Sequence, residues 1–307
     1  MSYCLEIHET VPAGIKRVAL EQLDQAAQQL STADRHLDRS VHETRKSFKK
    51  IRAVLRLIDN EIGKSDYRFE NAFYRDAARL LSPLRESAVN VQTLKKIART
   101  DRRTASRSFA AIHAQLESLR LSRKADFHAA GAIEKTSLAV REARARVENW
   151  TLQSDDFSTL GRGIERLYRR GRKGLSRAYR DLTSEQFHEW RKEAKYLWYQ
   201  MRLLEPLWPE AVGALTKPLD TLCDCLGEDH DLDELRSVLQ KMEAGDIEIE
   251  LRLLTQLIDC RHAELRNLIR PVGERIFSEE PRCFTRRLAT YWQIWRRSGV
   301  EEPWPPT

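Results

Sequence analysis

One repeated pattern constrains this chain more than any other feature. The string H-E-x-R-K-x-x-K occurs as His42-Glu43-Thr44-Arg45-Lys46-Ser47-Phe48-Lys49 and again, 146 positions later, as His188-Glu189-Trp190-Arg191-Lys192-Glu193-Ala194-Lys195. With this composition even the reduced form H-x-x-R-K-x-x-K arises by chance in roughly one chain in several hundred, so two copies mark an internal duplication. The register holds beyond the string. Arg56-Leu57 matches Arg202-Leu203, and Ile51, Leu55 and Ile58 match Leu197, Met201 and Leu204. Upstream, Gly14-Ile15-Lys16-Arg17 resembles Gly163-Ile164-Glu165-Arg166 at nearly the same offset, and downstream Leu81–Glu86 takes the place of Leu226–Asp231.

Both copies lie in helical sequence. Apolar residues recur at three- and four-residue intervals from Gly14 onward, and only 12 Gly and 10 Pro interrupt 307 residues. That pattern points to long helices and excludes an all-β architecture. Helices are expected near 14–31, 40–62, 67–82, 86–98, 102–122, 130–150, 156–180, 184–205, 209–226, 229–243, 247–277 and 283–297. Two starts have the capping-box form, Ser40-x-x-Glu43 and Thr183-x-x-Gln186, in which a hydroxyl and an acid or amide satisfy orphan amides reciprocally. The chain therefore reads as an all-α duplication, 12–150 and 156–297, each half a helical bundle of four to six helices, with an irregular proline-bearing tail, 298–307.

On a helix His42, Arg45, Lys49, Arg52 and Arg56 advance by three and four and so share one stripe, about 20 Å long at 1.5 Å per residue. Phe48, Ile51, Val54, Leu55 and Ile58 fall on the packing face. The second stripe runs through His188, Arg191, Lys195 and Arg202, with Trp198 where the first has Arg52. A single stripe of this kind is ordinarily a solvated face with salt-bridge partners. Here Glu43, Glu189 and Glu193 sit off the stripes, and like charges at these spacings repel by roughly 0.2–0.5 kcal/mol per pair. Recurrence turns the reading toward anion binding.

A third basic segment strengthens it. Arg162, Arg166, Arg169, Arg170, Arg172, Lys173, Arg177 and Arg180 stand against Glu165 alone, and Lys95, Lys96, Arg99, Arg102 and Arg103 extend the cationic content. By contrast residues 220–259 hold twelve acids and three basic residues. The net charge of +7 is thus a difference between basic stripes and an acidic stretch, and the basic side is expected to attract a polyanion. Of the 53 cations 39 are Arg, whose planar fork matches phosphate oxygens in pairs.

Other chemistries find little support. Five scattered cysteines are expected to be reduced thiols, and Cys223-x-Cys225 lacks a second pair at zinc-finger spacing. No Walker loop or cofactor motif is present. Glu248-Ile249-Glu250-Leu251-Arg252 comes near the E-x-E-x-K mark of tunnel-shaped phosphohydrolases but lies in helical sequence, and no set of histidines completes a metal shell around His230-Asp231. No catalytic residue, metal ligand or cofactor is therefore expected. Met1–Gly14 lacks the basic and apolar regions of a signal peptide, and no apolar run approaches the ~18 residues of a membrane span. A cytoplasmic protein is expected.

The two stripes, the basic segment 162–180 and the segments Leu81–Glu86 and Leu226–Asp231 together resemble the CHAD domain family, named for a conserved histidine in an α-helical domain. The resemblance spans nearly the whole chain. It implies one domain of two pseudo-twofold-related helical bundles of about four long helices each, whose basic helices line a central groove or pore that binds inorganic polyphosphate, without catalysis, and association with polyphosphate granules. Carried onto this sequence, the expected phosphate contacts are His42, Arg45, Lys46, Lys49, Arg52, Arg56 and Arg85 in the first repeat. In the second they are Arg162, Arg166, Arg169, Arg170, Lys173, Arg177, His188, Arg191, Lys192, Lys195 and Arg202. His42 and His188 are expected in the first turns of their helices, where amides and dipole favour anions. Three departures stand out: Trp198 for a basic residue, Ser82-Pro83 for a glycine-led turn, and His230 for an arginine, which makes a pH-dependent charge expected there. An RNA-binding helical module, an accessory to a triphosphate- or polyphosphate-processing enzyme, and a scaffold for an acidic protein remain the alternatives, because a basic stripe does not by itself separate polyanions.

Overall fold

The computed structural model describes residues 3–100, 109–243 and 245–299, and every regular element among them is helical. The order is α1 (Val11–Ser31), α2 (Ala33–Leu57), α3 (Lys64–Leu80), α4 (Ser82–Thr100), α5 (Ala110–Ala129), α6 (Ala132–Glu148), α7 (Ser158–Asp181), α8 (Ser184–Leu203), α9 (Pro209–Leu239), α10 (Glu248–Ile276) and α11 (Pro281–Ser298). No helix among the described residues is long and apolar enough to cross a membrane. Arg102, Arg103, the start of the helix expected at 102–122 and most of the tail lie outside the described residues.

Local chemistry explains the starts. The Thr10 hydroxyl accepts from the Ala13 amide at 3.3 Å and caps α1, and the Thr183 hydroxyl accepts from the Gln186 amide at 3.3 Å and caps α8. The expected cap at Ser40 is not one. Helix α2 begins seven residues earlier, and Ser40 is 0% exposed inside it. Leu37 and Val41 pack on Leu81 and Leu84, so burial of the upstream turn outweighs the capping signal. The irregularity falls instead at His36, whose φ of −141° and ψ of 52° kink the helix. The segments expected at 209–226 and 229–243 are also one helix, because Leu219, Leu222, Leu226, Leu232 and Leu235 keep helical spacing across Gly227 and stay buried.

Among the described residues four apolar clusters hold the helices. In one, α1, α2, α3 and α6 close over Leu23, Phe48, Ile51, Leu55, Tyr74 and Val140. The largest joins Val11, Ile15, Val54, Leu57 and Ile58 of the N-terminal helices to Leu160, Ile164, Phe187, Trp190, Leu197, Leu222, Phe284 and Trp292. A third packs Val91, Leu94 and Ile112 of α4 and α5 on Leu232, Leu235, Leu254 and Ile258 of α9 and α10. Apolar packing thus runs across the 150–156 boundary, and removing these side chains from water contributes roughly 1.5–3 kcal/mol each. Gly163 permits a close helix approach: a Cβ there would lie 2.7 Å from Leu57 Cα.

Candidate functional site

Packing brings the two copies of the repeated string onto neighbouring helices. α2 lies against α8, α7 and α4, while α9 lies against α8 and α4. At the α2–α8 contact the buried Gln200 Nε2 donates to the Ala53 carbonyl at 3.3 Å. With Ser47, Phe48, Ile51 and Val54 turned into the cores, the polar stripe of α2 is left to face the polar stripe of α8.

Lys49 marks the centre. Its strongest charged neighbours are Arg191 and Lys195 of α8, Arg45 of its own helix, and the acid Asp231 of α9. It makes no hydrogen bond or ion pair among the described residues. Burial, then the surrounding cations, pull its ammonium down to about 7. Arg191 is likewise without a carboxylate partner among the described residues, and lies beside Gly227, where a Cβ would meet its Nε and Nη2 at 4.0 Å. Arg85 of α4 closes the cluster as a neighbour of His42, Arg45 and Asp231. Burial pushes the Asp231 carboxyl up even though Arg191, Arg85 and Lys49 pull it down.

Several other residues expected to contact phosphate are already engaged. Arg45 Nη1 donates to the Ala78 carbonyl at 2.7 Å and to the Ser82 hydroxyl, so the serine that replaces a glycine-led turn holds the guanidinium. Arg52 Nε donates to Asn71 Oδ1 at 3.0 Å, and Arg56 Nη1 to the Tyr67 hydroxyl at 3.2 Å while its guanidinium covers the Tyr196 ring at 4.2 Å. The acids placed off the stripes reach neighbouring cations after all: Glu43 pairs with Lys46 at 3.4 Å, Glu189 with Lys192, and Glu193 with Arg170 at 2.6 Å. Arg166 pairs with Asp59 and donates to the Arg56 carbonyl at 3.2 Å, and Arg169 pairs with Glu165. Arg162, Lys173 and Arg177 are exposed on α7 and carry no ion pair among the described residues.

Trp198 organises the second stripe. It is 8% exposed, and Lys195 Nζ sits 3.8 Å and the Arg202 guanidinium 5.0 Å from its ring. The tryptophan that replaces a cation therefore gathers two others over its π face. Trp190 and Tyr199 are buried as well. Two further residues have no counterpart in the expected set. Tyr196 supports Arg52 and Arg56 from across the helix pair, and Lys50, one position off the stripe, is drawn down to about 8 by burial and by Arg202. Helical spacing hid Lys50 because its direction on α2 differs by 100° from that of Lys49.

The histidines correct two expectations. His42 sits well inside α2, beyond even the kink at His36, and His188 follows the first turn of α8, so neither occupies a terminal amide site. His188 Nδ1 lies 3.1 Å from His230 Nδ1, with ring centroids 4.4 Å apart. Burial, Arg191 and His188 pull His230 down to about 3, so it is neutral through the physiological range. A separate cluster joins α9 to α10. His262 turns one ring nitrogen to Asp229 at 2.7 Å and the other to Asp233 at 3.3 Å, and Arg266 Nε donates to Asp229 at 2.8 Å.

A family model described as the CHAD domain matches residues 17–240. The chain belongs to the CHAD domain family. The match takes in both copies of the repeated string and ends one residue past α9, so the CHAD segment contains the whole cluster around Lys49, while α10 and α11 lie beyond it. No curated protein matches the chain.

Proposed function

We propose that this CHAD protein binds inorganic polyphosphate, without catalysis, through the cations gathered between α2, α4, α8 and α9. The observation that carries the reading is the ammonium of Lys49, set among Arg45, Arg191 and Lys195 with the acid Asp231 opposing them. Clustering like charges in a half-buried site costs stability unless an anion enters. A flexible chain with about one charge per phosphate suits such a site, because several contacts form at once and their effects multiply.

Lys49, Arg85, Arg191 and Lys195 are proposed as the direct contacts, with His42 and His188 at their edge. Arg45, Arg52 and Arg56, tied to Ser82, Asn71 and Tyr67, complete the cationic lining. Lys46, Lys192, Arg166, Arg169 and Arg170, each paired with an acid, reach the ligand only by exchanging partners. Arg162, Lys173, Arg177 and Arg202 extend the attractive field. The burial of Trp190, Trp198 and Tyr199 supports polyphosphate over RNA, since base recognition uses accessible aromatic platforms.

The same proposal includes the architecture: a duplication in which α1–α2 and α7–α8 are equivalent hairpins, within repeats 12–150 and 156–297 that form one domain. Recruitment to polyphosphate granules in the cytoplasm follows from the binding. Calorimetry with long-chain polyphosphate and with RNA of equal charge, at matched salt, tests the reading. Tighter binding of polyphosphate is expected, with Arg191→Glu weakening it at least tenfold while circular dichroism is unchanged. Equal or tighter RNA binding overturns it.

A further inference from the structure

We infer that the cluster around Lys49 takes up protons as it binds its polyanion, so that phosphate and hydrogen ions enter together and affinity rises as pH falls. This rests on the polyphosphate reading and adds its regulation.

The geometry sets Lys49, His230 and His188 among like charges, with His42 of α2 facing Lys49, Lys46 and Arg85, and Lys50 of α2 facing Arg202 and Lys46. Lys49 faces Arg45 on α2, Arg191 and Lys195 on α8, and Asp231 on α9. His230 faces Arg191 and His188 on α8, Lys49 on α2, and Asp233 and Glu234 on its own helix. His188 faces Lys192, Arg191 and Glu189 on α8 and Asp233 on α9. From α4, Arg85 faces Asp231. With their Nδ1 atoms 3.1 Å apart, His188 and His230 use one proton between them, one ring donating and the other accepting. Protonating both nitrogens would oppose two N–H groups beside Arg191.

Polyphosphate oxygens would reverse this balance. The like charges that hold protons off Lys49 become screened, and the anion supplies an acceptor for each added N–H. Lys49, drawn down to about 7, is partly neutral in the free protein and fully charged with a phosphate beside it. Each proton taken up steepens affinity by up to about tenfold per pH unit. The terminal phosphates of the chain titrate in the opposite sense, because cations favour their ionised form.

The test is calorimetry of the full chain with long-chain inorganic polyphosphate at pH 7.5, in two phosphate-free buffers of different ionisation enthalpy and equal ionic strength. Net uptake of about half a proton or more is expected, with affinity at least tenfold tighter at pH 6.5 than at pH 8.5. Lys49→Arg, which stays charged throughout, is expected to lose more than half of the uptake, and His230→Gln to lose the part seen below pH 7. Binding with identical heats in both buffers, or with proton release, overturns the inference while leaving the polyphosphate reading intact. Uptake undiminished in both variants overturns the assignment to these groups. No binding heat in either buffer overturns the polyphosphate reading and the inference with it.

Discussion

His262 Nδ1 lies 2.7 Å from Asp229 Oδ1 and ties α10, beyond the family-matched segment, to α9. The imidazole is 6% exposed, its other nitrogen faces Asp233 at 3.3 Å, and Ser184 at the start of α8 donates to Asp233 at 2.7 Å. Burial alone would lower the His262 pKa, but the hydrogen bond to Asp229 and the nearby Asp233 carboxylate raise it above the ordinary 6.5. A folded-state pKa above the unfolded one gives stability that is complete below pH 6.5 and is lost as pH rises through the folded value. His262→Gln is expected to destabilise by about 2–3 kcal/mol at pH 6 and by less at pH 9. Thermal melts of parent and variant across that range check it, and an equal loss at both pH values contradicts it.

Lys49 gives a prediction of opposite sign. Its folded pKa, about 7, lies below the ordinary 10.5, so folding sheds its proton and stability rises with pH between those values. Lys49→Met keeps the stem and removes the charge. The unliganded variant is expected to be more stable at pH 7 by about 1 kcal/mol, to lose that part of the rise with pH, and to bind polyphosphate at least fivefold more weakly. Calorimetric melts and titrations on one preparation read both effects. A variant both less stable and equally tight in binding contradicts the placement of Lys49 in the ligand site.

Arg45 and Arg191 are equivalent in the two copies but differ in what holds them. Arg45 satisfies the Ala78 carbonyl and the Ser82 hydroxyl, whereas Arg191 makes no hydrogen bond or ion pair among the described residues and has Lys49 and, beyond ion-pair distance, the Asp231 carboxylate as charged neighbours. Arg45→Ala is therefore expected to cost about 1–2 kcal/mol, the loss of hydrogen bonds from a charged donor. Arg191→Ala is expected to be neutral or slightly stabilising. Urea denaturation of the two variants separates them, and equal destabilisation would show that Arg191 has a structural partner.

Trp198 stands where the first copy has Arg52, yet restoring the cation is expected to fail. The site is buried, and Lys195 and Arg202 lie over the ring. Trp198→Arg removes the π face, leaves a cavity and brings a third charge against two others, costing about 3–5 kcal/mol. Trp198→Phe keeps a weaker face and is expected to cost less than half as much. Denaturation midpoints for the pair measure the contrast.

Much of this was legible in order along the chain. The pattern repeated at His42 and His188 located the helices that carry the site, and three-and-four spacing placed Lys49 and Arg191 on polar stripes and Phe48 and Leu197 on buried faces. The cap at Thr183 was readable because hydroxyl and amide sit within one turn. The cap suggested at Ser40 was not real, since Val41 and Leu37 find Leu81 and Leu84 across the fold, and no local signal reports a distant partner. The break expected between helices at 209–226 and 229–243 failed for the same reason: buried leucines on both sides of Gly227 carry the helix through it.

The sequence by itself determined an all-α chain with two matching cationic helices, because helical periodicity and repetition are local properties of residue order. Only the tertiary structure decided which charges are answered. Glu193 meets Arg170, Asp59 meets Arg166, and Ser82 meets Arg45, each across helices that only packing brings together. That same packing leaves Lys49 and Arg191 side by side and places His188 against His230. Electrostatic energy depends on distance and burial, and neither is a function of spacing along the chain.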